Sequence, residues 1–161
     1  MTEAVVQRLS DKAGEIVALT QALVRVPTVN PPGDAYAACA ELVGERLRRR
    51  GFEVDYLRAE GTPGDSDRRP RINVIARREG ARPGPCVHFN GHLDVVPGEP
   101  EQFRPRREGD RLYARGAQDM KVSALVLAQV FREMAARLPY PLALQLVTDE
   151  EVGGRDGTLY Q

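Results

Sequence analysis

Near the end of the chain, Pro141 to Thr148 (PLALQLVT) are apolar almost throughout, and three acids follow at once, Asp149, Glu150 and Glu151. A short, nearly continuous apolar run is what a strand buried on both faces requires, because neither side can be left to water. Such a strand needs neighbours on both edges, so it sets the middle of a sheet. It also delivers the acidic cluster to the end of that sheet. A second apolar run of strand length, Pro85 to Asn90, leads in the same way into Gly91–Pro97 (GHLDVVP). The two runs are expected to be neighbours.

Helical spacing fills the intervals between the short strands. Ile16, Leu19 and Leu23 predict a helix over about 10–25, capped by Ser10 or Asp11 and ended by Pro27. Pro27–Gly33 (PTVNPPG) reads as a loop. Tyr36, Cys39, Ala40, Val43 and Leu47 form the stripe of a second helix, with Asp34 as N-cap and Gly51 just past its end. Arg46, Arg48, Arg49 and Arg50 crowd its last turn and read as a solvated end favoured by the helix dipole. Strands are predicted over 52–57 and 72–76, a mobile loop over 61–70, and a hairpin turning at Gly109-Asp110. Met120, Ala124, Leu127, Ala128, Phe131, Met134 and Ala135 mark the clearest helix, ended by Leu138-Pro139. The last residues, after Gly157, read as the start of a further helix. Helices alternating with short buried strands make the class α/β.

A chain of 161 residues with 42% hydrophobic and 29% charged residues can bury one real core. With 23 basic and 23 acidic residues the net charge is zero, which offers nothing to nucleic acid or an anionic membrane. The N-terminus is charged and lacks a signal peptide's apolar core, and no apolar run reaches the ~20 residues of a membrane span. A cytoplasmic location is expected. Cys39 and Cys86 fit no metal-knuckle spacing and are expected to be free, buried thiols.

Chemistry concentrates in three stretches, GHLDVVP, Ala114–Lys121 (ARGAQDMK) and Thr148–Gly154 (TDEEVGG). His92 and Asp94 are two residues apart, which on an extended backbone puts both side chains on one face. An imidazole can bind a metal through one nitrogen while a carboxylate holds the other. His88 has the same parity but lies ~13 Å upstream along a strand, too far to share one metal, and is expected to be a core or supporting histidine. One His and several carboxylates suit Zn²⁺ or a similar ion. Taken singly, Asp119 could cap the helix that follows it, and Asp149–Glu151 could be an exposed acidic loop.

In order, spacing and wording, the three stretches resemble the zinc-dependent amidohydrolases and exopeptidases that include acetylornithine deacetylase, succinyl-diaminopimelate desuccinylase, aminoacylase and glutamate-releasing carboxypeptidases. The resemblance covers essentially the whole chain, but only the N-terminal part of a family member. It implies a central mixed, largely parallel sheet flanked by helices, as in a zinc exopeptidase. Residues 1–161 would then be the N-terminal part of the metal-binding catalytic domain, without the dimerisation or lid domain. It further implies two zinc ions (Co or Mn being possible substitutes), with His92 on one, Glu151 on the other and Asp119 bridging. Asp94 would orient His92, Glu150 would be the general base, and a cis peptide would follow Asp119. The substrate would be an N-acyl amino acid or small peptide, and the full-length parent a homodimer. Ala114 and Ser123 stand where the family favours glycine. The family's remaining ligands would lie beyond Gln161, so this chain alone is expected to bind zinc weakly and to hydrolyse nothing at a useful rate. The competing expectation is a non-catalytic fragment or binding module with the same fold.

Overall fold

The computed structural model describes residues 2–161. The C-terminal apolar run does form the middle of the sheet. Strand β1 is Glu53–Arg58, β2 is Ile72–Arg78, β3 is Val87–His92 and β6 is Leu142–Val147, in the order β1-β2-β6-β3. Both neighbours of β6 are paired along its length, and five of its six residues are buried. Short strands β4 (Arg106–Glu108) and β5 (Arg111–Tyr113) make the separate hairpin around Gly109-Asp110. The sheet is mixed, but parallel pairing is its minority. Strand β1 runs antiparallel to β2 and β2 antiparallel to β6, and only β3 and β6 are parallel. The expectation of a largely parallel sheet is corrected there. The connection from β1 to β2, residues 59–71, holds no helix and folds back as a loop pinned by Asp65, so the two strands reverse.

Register decides which face carries the core. Val74 lies opposite Leu146, and Ala76 opposite Leu144 and Val54. These residues pack into one cluster with Leu19 and Leu23 of α2 (Ala13–Val24), Cys39, Val43 and Leu47 of α3 (Tyr36–Arg48), and Leu125 and Phe131 of α4 (Val122–Ala135). Phe131 is fully buried, with its ring 4.6 Å from Phe52 and edge-on to Phe89 at 6.1 Å. On the opposite face the turn over 155–158 contributes cover. Asn73 donates to the Asp156 carbonyl, and Asn90 to the Thr158 hydroxyl.

Several local expectations are revised. The helix foreseen over 10–25 is split. Helix α1 (Thr2–Asp11) precedes α2, and the break lies at Lys12. Asp34 does not cap α3. Ala35 is the N-cap, at φ 56°, and Asp34 instead accepts from Arg69 Nε at 2.7 Å. The loop over 61–70 is pinned rather than free, because Asp65 accepts from Arg58 and from the Arg71 backbone. Cys39 is buried as expected, but Cys86 is exposed. His88 is exposed as well, so it is neither core nor supporting. It sits on β3, an edge strand among the described residues, with its side chain on the face away from the helix core. After Gly157 the chain makes hydrogen-bonded turns instead of a helix.

Lys121 ties α4 to α2. Its ammonium is 0% exposed and donates to the carbonyls of Leu23 and Val26 at 3.0 and 2.8 Å. These carbonyls lie at and just past the end of α2, where a cation is favoured, and each also accepts a backbone N–H. Burial nonetheless pushes its pKa down.

Replacing Phe131 by Ala removes a fully buried ring and two aromatic contacts, and is expected to cost about 3–5 kcal/mol. Leu159→Ala, at an exposed position, should stay within about 0.5 kcal/mol of wild type. Urea unfolding of both variants checks the contrast; equal midpoints would contradict the packing described.

Candidate metal and catalytic site

Because β3 and β6 are parallel, with His92 opposite Val147, their carboxyl ends finish at the same edge of the sheet. Open α/β sheets place their sites there. His92 is the last residue of β3. Two residues on, Asp94 enters a buried crossing, where Val29 and Val95 form a parallel bridge and Asn30 N donates to Val95 O at 2.9 Å. After β6 the chain turns through Asp149 into a single 3-10 turn, Glu150–Val152.

Asp119 arrives from a third direction. It sits in an irregular π-helical turn, Ala117–Lys121, ahead of α4, and its peptide bond to Met120 is cis. Gly116 enters that turn at φ 76°, and a Cβ there would come within 2.5 Å of Val95 Cγ1, so both conformation and space demand glycine. Asp119 does not cap α4; Lys121 occupies the N-cap position without a side-chain cap bond. The Asp119 side chain is 77% exposed and turned towards His92.

The three stretches converge. His92, Asp119 and Glu151 each offer a ligand atom, all within 4.8 Å of one another. His92 Nε2 lies 3.1 Å from Asp119 Oδ1 and 3.8 Å from Glu150 Oε2. Its other nitrogen, Nδ1, lies 3.1 Å from the Asp94 carbonyl oxygen and 3.4 Å from Asp94 Oδ1. A carbonyl can only accept, so Nδ1 carries a hydrogen, and Nε2 is the nitrogen left to face a cation. One imidazole and two carboxylates at this separation fit a mixed N/O site for zinc.

Asp94 has a wider task than holding His92. It is 0% exposed, and its carboxylate accepts from the backbone N–H groups of Glu150 and Glu151 at 3.2 and 3.0 Å and from Asn30 Nδ2 at 3.3 Å. Burial alone would raise its pKa. The bonds from His92, Glu151 N–H and Asn30 overcome this and hold it below the ordinary carboxylate range.

For His92, burial lowers the pKa, but the Asp94 and Asp119 contacts more than offset it and push it up to about 9. In the metal-free protein, those contacts therefore stabilise the fold fully below the ordinary value of 6.5, and that contribution is lost as pH rises through about 9. Glu151 is pushed up by its own burial and by Asp119, Asp94 and Glu150, while His92 pulls it down. Carboxylates crowded in this way are relieved by a cation.

Asn30 went unnoticed in the sequence. Between Thr28 and two successive cis prolyl bonds, it donates to both Asp94 and Asp149, and its carbonyl accepts from Arg71 Nη1 at 3.3 Å. Arg71 reaches Asp156, whose N–H donates to Asp149 Oδ2. Asp149 is therefore buried and bonded rather than part of an exposed acidic loop. A single Asn in a proline-rich loop carries no spacing signal that could have marked it.

Beside the cluster opens a cleft of about 1040 Å³, with Asp119 and Glu151 at one part of its wall and residues of 96–118 lining the rest.

Residues 88–160, which contain all three motif stretches, match the family model described as Peptidase family M20/M25/M40. Those residues thus carry a domain of this metallopeptidase family. The chain is 37% identical over 150 residues to a succinyl-diaminopimelate desuccinylase of Variovorax paradoxus, covering 88% of this chain and 37% of that protein. Against the same-named protein of Paracidovorax citrulli it is 40% identical over 152 residues, covering 87% and 37%. The chain thus spans a little over a third of the length of the curated relatives it matches. Human carnosine dipeptidase 1 superposes with TM-score 0.73 at 22% identity, over 96% of this chain and 36% of that one. The di-peptidase Dug1p of Saccharomyces cerevisiae gives 0.72 at 16% identity, over 94% and 35%. At such identities the likeness is one of fold.

Because a proton on His92 competes with a metal, zinc affinity is expected to rise about tenfold per pH unit from pH 7 towards 9. An imidazole at its ordinary value would level off near pH 7. Competition with a chromophoric chelator measures this, and a plateau from pH 7 upward would contradict the pairing.

Proposed function

We propose that the protein is a metal-dependent hydrolase of the amide bond in N-acyl amino acids or small peptides, with two zinc ions bridged by Asp119. The observation that carries this is the convergence of His92, Asp119 and Glu151, with Glu150 alongside and outside the group of three. His92 holds one ion, Glu151 the other. The same donors accept Co²⁺ or Mn²⁺. Metal bound there lowers the pKa of a water and polarises the scissile carbonyl. The family match and relatives named as desuccinylases support amide chemistry on an acylated amino acid.

Glu150 is the base in this reading. Its backbone is fixed by the bond to Asp94, while its side chain is 59% exposed with Oε2 3.8 Å from His92 Nε2. That leaves its carboxylate free to take a proton from water and return it to the departing amine. Neighbouring glutamates can divide the roles because Glu150 and Glu151 both hang from Asp94 through their N–H groups, which sets their positions independently of any ion. The proposal includes the cytoplasmic location expected from the sequence and a homodimeric full-length parent.

In the full-length protein, Glu150→Ala is expected to lower kcat by about 10²–10⁴-fold with zinc content unchanged. Glu151→Ala should lower zinc content as well. Elemental analysis beside hydrolysis of a panel of N-acyl amino acids checks both, and unimpaired turnover by the Glu150 variant would remove the base from this scheme. Activity should vanish in a chelator and return with Zn²⁺.

A further inference from the structure

We propose that the groove between α2, α3 and α4, on the helix side of the sheet, binds a small monocarboxylate with an apolar body. The groove shares no lining residue with the cleft beside the metal cluster, and its ligand does not depend on the hydrolase reading above.

The groove follows from how the helices are laid on the sheet. Helix α3 packs on β1 and β2, whereas α4 packs on β3 and β6 and against α2. The wall of α3 therefore stands off from the other two helices. Leu19 of α2, Val43 and Leu47 of α3 and Leu125 of α4 line the gap, together with Phe52. Ala128, one turn after Leu125, leaves the space that a longer side chain would fill. The cavity is about 220 Å³. A cavity of ~150 Å³ holds benzene, so this one has room for a ring with a short chain.

The rim is cationic. Arg46, Arg49 and Arg50 stand on the α3 side and Arg132 on the α4 side, and Glu15 is the acid of the lining. Arg49 pairs with Glu45, and Arg50 with Glu15. Arg132 lies 3.5 Å from Glu133, but that carboxylate also accepts from Arg8 at 3.1 Å. Arg46 is exposed and pairs with no described residue. With Arg8 included, five guanidiniums meet the three carboxylates of Glu15, Glu45 and Glu133, an excess of two positive charges. The arginines crowded at the end of α3 thus form one side of a pocket and not only a solvated helix end.

The polar part of the α4 wall is not used up by the fold. Gln129 is 9% exposed, and its Oε1 has no hydrogen-bond partner; Arg132 Nη1, three residues on, is buried without one as well. Buried polar atoms are nearly always paired. These two atoms lie beneath the surface, so they are not the first contact. Neither has an internal bond to give up, however, and a side-chain rotation brings either group to an anion held at the rim. Apolar walls under a positive rim select one chemistry. An inorganic anion leaves the walls unused, and a neutral hydrocarbon leaves the arginines unused.

The probe is 3-phenylpropionate, with its primary amide as the neutral control, added to the full-length protein carrying labelled Leu and Val methyl groups. The methyl resonances of Leu19, Val43, Leu47 and Leu125 are expected to shift with a dissociation constant of about 0.1–1 mM, with or without added Zn²⁺. The amide should bind about 5- to 10-fold more weakly. Arg46→Gln, at an exposed position, should weaken the acid about 3- to 10-fold and leave the amide unchanged. Ala128→Leu fills the groove and should weaken both at least about tenfold, with the helical circular dichroism retained. Equal affinity for acid and amide would reduce the groove to an apolar crevice and overturn the proposal. Shifts confined to Val96 and Leu112, beside the metal cluster, would overturn it too, since the carboxylate would then sit at the metal site. So would full displacement of the probe by an equal concentration of inorganic phosphate, or undiminished binding in the folded Ala128→Leu protein.

Discussion

The Asp94 carboxylate is the tie on which the site depends. It is a charge taken wholly out of water, which is tolerable only if nearly every lone pair is used. Its partners come from three parts of the chain, Asn30 before the first sheet strand, His92 at the end of β3, and the Glu150 and Glu151 N–H groups after β6. Burying this one charge therefore fixes the relative positions of the imidazole and two glutamates. The buried Asn30–Arg71–Asp156–Asp149 set extends the tie to the loops around it.

The arrangement trades stability for chemistry in a definite way. Asp119, Glu150 and Glu151 are gathered around one imidazole, and the metal-free protein compensates by protonating His92, whose pKa rises to about 9. A cation would replace that proton and answer the same negative field. The apolar side of the sheet has no such conflict. Phe131, Phe89 and Phe52 lock α4 against the strands, and Lys121 caps α2 from the turn that presents Asp119. The reactive loops are thus mounted on a well-packed base.

What was legible in the sequence had a periodic or motif signature. The stripe from Ala124 to Ala135 gave α4, the run from Pro141 gave β6, and His92, Asp119 and Glu151 were marked by their motifs before their proximity was visible. Other features had no such signature. Pro-rich composition suggested a plain loop at 27–33, yet it supplies Asn30 to the centre of the site. Cys86 and His88 looked like interior residues by type and parity, but β3 is an edge strand among the described residues and leaves them in water. Strand direction was equally invisible, because an apolar run looks the same whichever way it pairs with its neighbour.

By itself the sequence determined the element types, the central strand and the residues able to hold a metal, since these follow from side-chain chemistry and short-range spacing. Only the tertiary structure decided which nitrogen of His92 is free and that the Asp94 carboxylate serves Glu150 and Glu151 as well as His92. Those are properties of distances between segments far apart in the chain. They arise when the parallel pairing of β3 and β6 brings two strand ends together and forces every buried polar group there to find its partner.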